Sequence, residues 1–218
     1  MRLILLGPPG SGKGTQAERL KYTYNLVRLS TGDMLRDAIV SGSDIGKKVK
    51  VIIEAGKLVY DEIVIDIISE RISHHDVEYG FILDGFPRTI AQAEALYAIL
   101  AKKKITIDIA IEIKVPDELI IDRIAGRFTC VKCMAGYNDK FNYPKIDGKC
   151  DVCNGTEFSR RIDDNAETLF SRLNTYHFQT EQIISFYKKS GILKIVDGTM
   201  SIEKVTKQLI DIIDMFID

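Results

Sequence analysis

No apolar run in the 218-residue chain approaches the ~20 residues that cross a membrane. Only four consecutive apolar residues, Leu3–Leu6, precede the first glycine-rich segment, far fewer than the hydrophobic stretch of a secretory signal peptide contains. We therefore expect no membrane partner and a cytoplasmic location. Internal repeats and low-complexity tracts are missing too, and 45% hydrophobic and 28% charged residues are typical of a globular protein. At this length we expect one sizeable core with one or two inserted segments.

A surplus of charge is missing as well. The chain has 30 Lys and Arg residues against 31 Asp and Glu residues, a formal net charge of −1. A nearly neutral protein has no overall field that attracts nucleic acid, so we expect no nucleic-acid partner. Cations that bind phosphate must instead be concentrated at one site. Cysteine is scarce: all four residues lie between positions 130 and 153, which in a reducing compartment indicates metal binding rather than disulfides.

Residues 7–15 form a glycine-rich segment directly after the apolar run Arg2–Leu6 and read Gly-Pro-Pro-Gly-Ser-Gly-Lys-Gly-Thr. The Gly-x4-Gly-Lys spacing between a strand and a helix is typical of a loop that wraps phosphates with backbone N–H groups. The helix N-terminus adds a positive dipole end, and Lys13 adds a charge. The pattern favours a nucleoside triphosphate ligand over a turn that binds nothing, with the binding residues Gly10, Ser11, Gly12, Lys13, Gly14 and Thr15.

One position of this loop departs from the common pattern. Gly14 follows Lys13 where a Ser or Thr usually supplies the hydroxyl that holds Mg²⁺, and Thr15 comes one residue later. This departure argues against a switch GTPase or a motor ATPase, in which that hydroxyl is central.

Apolar runs of strand length alternate with helical patterns along the chain. The strand candidates are Arg2–Leu6, Val27–Leu29, Phe81–Leu83, Ile107–Val115 and Ile192–Val196, and clear helical stretches are Ile90–Lys102, Asp117–Ile124 and Ile202–Ile217. This alternation predicts an α/β fold in which a five-stranded parallel sheet carries helices on both faces. Ligands of such sheets bind beyond the carboxyl ends of the strands, which is where the motifs of this chain fall.

Two segments look inserted into this core. Residues 30–59 read as short helices with little strand character, and residues 127–162 are rich in Cys, Tyr, Asn, Gly and Lys with few aliphatic side chains. Residues 1–29, 60–126 and 163–218 make up the predicted core domain. The second insert is too poor in apolar residues to bury a core of its own, so we expect a staple to hold it together.

The four cysteines form two close pairs in the second insert, Cys130-x2-Cys133 and, after sixteen residues, Cys150-x2-Cys153. Two such pairs predict a tetrahedral, structural Zn²⁺ site with no open position for water, although iron fits the same ligands. A zinc ribbon with exposed aromatic residues would also suit a nucleic-acid-binding ATPase. The position of the segment between the fourth strand and a later helix, with arginines at its base, favours a hinged lid over a phosphate site.

A second group of polar residues follows the second and third strands. Thr31 is a candidate helix cap, and Arg36 lies about one turn further, where it can reach an anion. Asp84 ends a buried strand near the glycine-rich loop, where a carboxylate can orient Mg²⁺ waters. Arg88 offers a planar fork for phosphate. Gln92 follows at i+4, on the same face as Arg88, and its amide can read an adenine edge.

Taken together, these motifs resemble the long form of the adenylate kinase family, in which the lid carries zinc. The resemblance runs from Met1 to the last helix, and its specificity rests on the joint order of Gly7–Thr15, Ser30–Arg36, Gly56–Val59, Leu83–Thr89 with Gln92, Asp122–Arg127, the four cysteines, and Arg161–Asp164 with Arg172. It implies the three-layer P-loop nucleoside monophosphate kinase fold, with a helical AMP-binding insert at 30–59 and a zinc-binding lid at 127–162.

The resemblance implies that ATP lies between the glycine-rich loop and the lid. Its phosphates would be wrapped by residues 10–15, with Arg123 and Arg127 flanking ATP at the lid base. Gly136 and Tyr137 would sit over the adenine and ribose, and Met200 would meet the adenine through its backbone.

The resemblance also implies the acceptor site and the catalytic groups. AMP would be held by Thr31, Arg36, Lys57, Leu58, Val59, Gly85, Phe86, Pro87, Arg88, Gln92, Arg161 and Arg172. The catalytic set would be Lys13, Asp84, Arg88, Arg123, Arg161 and Arg172, with Arg161 and Arg172 bridging the phosphates.

Two departures and one ambiguous pair of arginines affect how closely the family pattern applies to this chain. Phe128 stands where the family often has a second basic residue, and Gly136 stands where it usually has a larger side chain, so we expect looser adenine packing beside Tyr137. Arg160 and Arg161 are adjacent. We assign the phosphate role to Arg161 because it directly precedes the x-Asp-Asp pattern, and we expect Arg160 to be a solvent-exposed cation.

The implied reaction is MgATP + AMP ⇌ 2 ADP, which serves adenine nucleotide homeostasis, carried out by a monomer that uses Mg²⁺ with ATP and a structural Zn²⁺. The sequence contains no recognisable Ser/His/Asp set or general base, and in-line phosphoryl transfer requires none. Another nucleoside monophosphate kinase, acting on UMP, CMP or GMP, would share the fold and the phosphate clamp, so Thr31 and Gln92 are the discriminating residues. GTP as the donor stays open, because backbone contacts to a base leave little trace in a sequence.

Overall fold

A computed structural model of the chain describes residues 1–161 and 163–217. This part of the chain contains eight strands, which are β1 Arg2–Leu6, β2 Val27–Ser30, β3 Phe81–Asp84, β4 Ile109–Lys114, β5 Arg127–Cys130, β6 Gly136–Asn138, β7 Phe158–Ser159 and β8 Leu193–Asp197. Five of them form one sheet in the order β2-β3-β1-β4-β8, in which all neighbours are parallel. The carboxyl ends of β1, β2 and β3 therefore meet at one edge of this sheet.

Helices connect these strands. They are α1 Lys13–Tyr24, α2 Thr31–Val40, α3 Asp44–Glu54, α4 Asp61–Arg71, α5 Ile90–Lys102, α6 Asp117–Ala125, α7 Ala166–Thr175, α8 Gln182–Lys189 and α9 Ile202–Ile217. A π-helical turn, Tyr176–Thr180, joins α7 to α8. No helix within the described ranges is long and apolar enough to cross a membrane.

Apolar side chains cover both faces of the parallel sheet, because successive residues of a strand point to opposite sides. In β1, Ile4 and Leu6 belong to a cluster that includes residues of α4, α5 and α8. Leu3 and Leu5 belong to a second cluster with residues of α1, α6 and α9. The sheet is thus the middle of three layers, and its carboxyl edge is held between two packed faces.

The predicted α/β class and the five parallel strands are confirmed, with small differences at the ends. Two predicted helices, Ile90–Lys102 and Ile202–Ile217, coincide with α5 and α9. The fourth strand is shorter than Ile107–Val115 because pairing with β1 begins at Ile109 and Pro116 opens the next helix.

One predicted cap is wrong. Thr31 is the first residue of α2, and the preceding Ser30 is the cap, its hydroxyl accepting from the Asp33 amide at 3.3 Å. The two neighbouring hydroxyls both suit a helix start, and β2 extends to Ser30, which leaves that residue extended at the cap position.

The two predicted inserts have different structures. Residues 30–59, the helical insert, contain α2 and α3. Residues 127–161, the lid, contain a three-stranded antiparallel sheet in the order β6-β5-β7. Ile162 and Asp218, the last residues of the predicted lid and core segments, lie outside the described residues.

Candidate active site

The glycine-rich loop lies between β1 and α1, at the carboxyl edge of the parallel sheet. Gly10 and Gly12 have φ angles of 80° and 100°, a left-handed backbone that glycine adopts without strain. A Cβ at Gly10 would also lie 2.8 Å from the side chain of Ile124, so α6 leaves no room for a larger residue. The loop leads directly into the N-terminus of α1, an arrangement that binds phosphate.

Lys13 lies at the start of α1 with its ammonium folded back on the loop. Its Nζ donates to the carbonyl oxygens of Gly7 at 2.7 Å and Pro8 at 2.8 Å. Burial lowers the pKa of Lys13 to about 7; Asp84 opposes this shift, and the charges of Arg88 and Arg172 add to it. An ammonium that is buried among other cations gains most from an anionic ligand.

Asp84, at the end of β3, is buried and bound by Arg28. Its Oδ2 accepts from Arg28 Nη2 at 2.6 Å and from Nε at 3.1 Å. The same Nη2 lies 2.9 Å from Oδ2 of Asp33. Gly14 accommodates this pair, since a Cβ there would lie 3.2 Å from Arg28 Nη2. The loop position that lacks the usual hydroxyl is therefore packed against a buried arginine–carboxylate pair.

A cleft separates the helical insert from the core. Thr31 and Gly85 both line this cleft, and the Thr31 hydroxyl donates to the Gly85 carbonyl at 2.9 Å. Phe86 and Pro87 are buried, and they are not among the lining residues. The cleft is lined by most of the predicted acceptor-site residues, namely Thr31, Arg36, Lys57, Leu58, Val59, Gly85, Arg88, Gln92 and Arg172.

Arg88 and Gln92 meet in this cleft, but not as neighbours on one helix face. Arg88 precedes α5, which begins at Ile90, and Thr89 is the cap. The contact runs instead from the Arg88 amide to Oε1 of Gln92, at 2.7 Å. Gln92 Nε2 donates to Asp61 at 2.7 Å. Each of these two Gln92 atoms keeps one further hydrogen-bonding position for a ligand.

Three arginines from separate segments of the chain lie close together at the cleft. Arg161, at the end of the lid, lies 3.5 Å from Asp33 on α2. Arg172 on α7 donates to Asp163 at 2.9 Å. Arg127, the first lid residue, pairs with Asp164 through Nε at 2.6 Å. The segments meet through these ion pairs.

The crowding of these cations is visible in their pKa values. Burial lowers the pKa of Arg161 to about 9, and the neighbouring charges of Arg127 and Arg36 lower it further. Burial likewise lowers the pKa of Arg172 to about 10 and lowers that of Arg88. Like charges gathered in a buried site favour a polyanionic ligand. Arg160 is different: it is exposed and donates to Asp139 at 2.8 Å.

Arg123 links the glycine-rich loop to the turn after β8. Its Nη2 donates to the Gly198 carbonyl at 2.8 Å, and its Nη1 lies 3.5 Å from the Ser11 carbonyl. Met200 follows two residues after Gly198 and is partly exposed. Gly198, two residues before Met200, is therefore connected through Arg123 to the phosphate loop.

The four cysteine sulfurs lie within 4.8 Å of one another in the lid. The two cross-pair Sγ–Sγ distances are 3.6 Å for Cys130–Cys153 and 3.5 Å for Cys133–Cys150. A disulfide would need ~2.05 Å. A tetrahedron with Zn–S bonds of ~2.3 Å has edges of ~3.8 Å, so the cluster is compatible with a zinc site.

Tyr137 does not present its ring to the cleft. It is 5% exposed, stacks on Phe128 with ring centroids 5.7 Å apart, and belongs to the small apolar cluster of the lid. Its hydroxyl lies beside Cys150. Gly136, the preceding residue, is exposed. Any contact of this pair with a nucleotide base would therefore use the backbone rather than the Tyr137 ring.

Sequence reasoning missed three charged residues of the site. Arg28 binds Asp84, Asp61 binds Gln92, and Asp163 binds Arg172. Arg28 lies in a strand and Asp61 opens a helix, so neither belongs to a recognisable motif. Asp163 was present in the Asp-Asp pattern, but its partner nine residues later becomes evident only in the folded chain.

A phosphate loop at the carboxyl edge of this sheet, with an arginine-lined cleft under a helical insert, defines a P-loop nucleoside monophosphate kinase. The family model described as adenylate kinase matches residues 5–192. The chain is 61% identical over 214 residues to the adenylate kinase of Paramagnetospirillum magneticum, covering 98% of this chain and 99% of that protein. The chain belongs to the adenylate kinase family.

Two further relatives share nearly the whole length. The adenylate kinase of Rhizobium rhizogenes is 52% identical over 209 residues, covering 96% of this chain and 97% of that protein. The adenylate kinase of Acetivibrio thermocellus is 49% identical over 211 residues, covering 97% of both. These relatives favour adenylate kinase over the other nucleoside monophosphate kinases and over a nucleic-acid-binding ATPase.

Proposed function

We propose that this chain transfers the γ-phosphoryl group of MgATP to AMP, giving two ADP, and thereby balances the adenine nucleotides. The observation that carries the proposal is the convergence of buried Lys and Arg side chains between the phosphate loop and the cleft under the helical insert. Two phosphate-bearing nucleotides would together supply the negative charge that this site lacks. The segments 30–59 and 127–162 are the mobile inserts of this proposal, on a core of residues 1–29, 60–126 and 163–218.

The donor is held through its phosphates. The amides of residues 10–15 and the Lys13 ammonium bind the polyphosphate of ATP. Arg123 and Arg127 flank it at the lid base, and the backbone near Gly136, Tyr137 and Met200 meets the base and ribose.

The acceptor occupies the cleft under the helical insert. Thr31 and Gln92 read the adenine, for which Gln92 has one donor and one acceptor position left. Residues 57–59 and Gly85 line the cleft, and the buried Phe86 and Pro87 follow Gly85 in the chain. Arg36 and Arg88 bind the AMP phosphate. The ion pair of Arg36 with Asp33 and the hydrogen bond from Arg88 Nε to the Gly85 carbonyl support this role, because they hold the guanidinium groups in fixed orientations.

Chemistry in this site is positioning and charge neutralisation. The acceptor is a phosphate oxygen anion, so no general base is needed to create the nucleophile. Lys13, Arg88, Arg123, Arg161 and Arg172 surround the transferring group and stabilise the charge of the transition state. Arg28 engages one oxygen of Asp84, and the second oxygen orders the waters of the Mg²⁺ that arrives with ATP.

The lid has two functions in this proposal. Cys130, Cys133, Cys150 and Cys153 hold a structural Zn²⁺ that keeps the lid folded. Lids of this kind, the adenylate kinase lid among them, close over bound substrates and exclude water. Closure limits wasteful ATP hydrolysis. We propose a cytoplasmic monomer that needs no nucleic acid or membrane.

The test is ADP formation from MgATP offered AMP, GMP, CMP and UMP in turn, with a control that contains no acceptor. Two ADP per AMP consumed, with AMP far ahead of the other acceptors, would support the proposal. A preference for another monophosphate would overturn the roles of Thr31 and Gln92. Turnover without any acceptor would overturn the kinase reaction itself and indicate an ATPase.

A further inference from the structure

A tyrosine hydroxyl lies beside the cysteine cluster inside the lid. Tyr137 Oη is 3.2 Å from Cys150 Sγ and accepts a hydrogen bond from the Asp151 amide at 2.7 Å. The residue is 5% exposed, so bulk water does not compete for either contact. The phosphoryl-transfer mechanism makes no use of this hydroxyl.

The Asp151 amide decides which way the hydroxyl proton points. A phenol has one proton to donate, and its oxygen accepts. Because the Asp151 N–H is itself a donor to that oxygen, the phenolic proton is free for the sulfur of Cys150. A metal-bound cysteine is a thiolate, which only accepts hydrogen bonds. The donor direction from Tyr137 to Cys150 is therefore the one that a metal site requires.

Aromatic packing holds the hydroxyl in place. The Tyr137 ring stacks on Phe128 at 5.7 Å with an interplanar angle of 21°. Phe158 meets it edge-on at 5.6 Å. A ring fixed on two sides delivers its hydroxyl to one position and loses little further freedom in making the bond.

We propose that Tyr137 is a positioning residue of the lid metal site, whose hydroxyl orients the Cys150 sulfur and donates a hydrogen bond to it when that sulfur binds the metal. Hydrogen-bond partners of metal ligands fix ligand orientation, and their loss typically weakens metal binding ~10–100-fold. The side chain of the residue that family resemblance places beside ATP thus serves the metal. This inference rests on the zinc site proposed above.

The experiment compares Tyr137→Phe with Tyr143→Phe in the full-length, zinc-loaded protein. Both changes remove one phenolic hydroxyl from the lid, but that of Tyr143 is bonded to Asp147 at 2.6 Å and not to a cysteine. Phenylalanine keeps the stacked ring, and circular dichroism checks the fold. Competition with a chromophoric chelator measures Zn²⁺ affinity. We expect ~10–100-fold weaker binding for Tyr137→Phe and wild-type affinity for Tyr143→Phe.

Co²⁺ substitution separates a sulfur hydrogen bond from general packing. The thiolate-to-cobalt charge-transfer band reports electron density on sulfur, so we expect it to shift in Tyr137→Phe and to stay in place in Tyr143→Phe. Three results would each overturn the role of Tyr137. They are a Zn²⁺ affinity of Tyr137→Phe equal to that of the wild type, an equal loss of Zn²⁺ affinity in both variants, and a charge-transfer band that does not shift in Tyr137→Phe. A wild-type protein that binds no zinc would instead overturn the metal site itself.

A third measurement needs no variant. In the cadmium-loaded wild-type protein we expect a slowly exchanging Tyr137 hydroxyl proton that correlates with the cadmium nucleus through the Cys150 sulfur. A hydroxyl proton that exchanges rapidly, or that shows no such correlation, would contradict the proposal.

Discussion

The helical insert and the lid border the same site but are held in place by different interactions. Leu35 and Val49 of the helical insert are buried in the large apolar cluster that also contains Leu29 and Leu96 of the core. The lid has a separate cluster of only four buried residues, Phe128, Cys130, Tyr137 and Cys150, two of which are cysteines.

This difference follows from composition. An amphipathic helix pair can share the core of the protein, whereas a short three-stranded sheet with few aliphatic residues has no sufficient core to share. The insert therefore depends on the core and the lid depends on its cysteine cluster. Variants in each region should separate these two forms of stabilisation.

The largest effect, a loss of turnover, is expected at the cleft. There the helical insert and the lid cannot be compared separately, because the site uses residues of both. Arg88→Ala should reduce turnover by roughly 10³-fold, since it removes a buried charge that stabilises the transferring phosphoryl group. Steady-state kinetics at saturating nucleotides measures the loss, and circular dichroism should show an intact fold.

Arg71→Gln is the matched control for Arg88→Ala. Arg71 forms an exposed bidentate pair with Asp76, at 2.7 and 2.6 Å, and does not line the cleft. A loss of less than tenfold for Arg88→Ala, or a similar loss for Arg71→Gln, would contradict the role of Arg88.

A change in the cluster should affect the lid alone. Cys130→Ser removes one of four sulfurs and should release the metal, because the remaining ligands no longer close a tetrahedron. We expect a clear fall in melting temperature. The relative fall in turnover at low temperature should be smaller, because the lid can still form transiently there. Calorimetry and metal analysis check this, and an unchanged melting temperature would argue against a structural metal.

A change in the helical insert should act through backbone packing. A Cβ at Gly46 on α3 would lie 2.0 Å from the Ala38 carbonyl oxygen on α2, so Gly46→Ala must separate the two helices. We expect a loss of about 2 kcal/mol in unfolding free energy and a raised KM for AMP. Urea denaturation and acceptor kinetics are the measurements.

Gly136→Ala in the lid is the counterpart of Gly46→Ala. No atom lies within 4 Å of a Cβ built at Gly136. The change should alter stability by less than ~0.5 kcal/mol. If both alanine variants were equally stable, the close packing of α2 on α3 would not contribute as described.

The smallest change is expected at Lys13 of the phosphate loop, where MgATP binding should alter the protonation of a single side chain. The pKa of Lys13 falls from 10.5 to about 7 on folding. Between pH 7 and pH 10.5 the unfolded chain therefore binds more protons at this side chain than the folded chain does. The nucleotide-free protein consequently gains stability as the pH rises through that window. The phosphates of bound MgATP should return the Lys13 side chain to its charged form. At pH 8, MgATP binding should therefore take up nearly one proton, and at pH 6 almost none.

Calorimetric titration of MgATP in buffers of different ionisation enthalpy measures this proton uptake, with Lys13→Gln as the control that should lose it. Proton uptake that is the same at both pH values would mean that Lys13 is already charged before the nucleotide binds.

Most of the fold could be predicted from the sequence because its signals are local. The alternation of apolar runs and helical patterns identified all five parallel strands, and the spacing of residues 7–15 identified the phosphate loop. The ends of β4 and the cap of α2 were not predicted correctly, because they depend on strand pairing and on which of two adjacent hydroxyl residues is extended. Ser30 and Thr31 are equivalent in sequence terms.

The site was predicted less completely, because its charges are paired over long separations. Arg28 and Asp84 are 56 residues apart, and Gln92 and Asp61 are 31 apart. Such pairs leave no pattern in a single sequence. The side chain of Tyr137 is the clearest case: family resemblance indicated a residue at the nucleotide, and the folded lid turns its ring towards the cysteines.

Hydrogen exchange of the zinc-loaded protein before and after chelation tests the central comparison most directly. Metal analysis would verify removal, and mass spectrometry would resolve the segments. We predict that protection is lost across the lid, residues 127–161, while the helical insert, residues 30–59, keeps the exchange rates of the loaded protein. Equal loss in both segments, or no loss in the lid after the metal has left, would contradict the account.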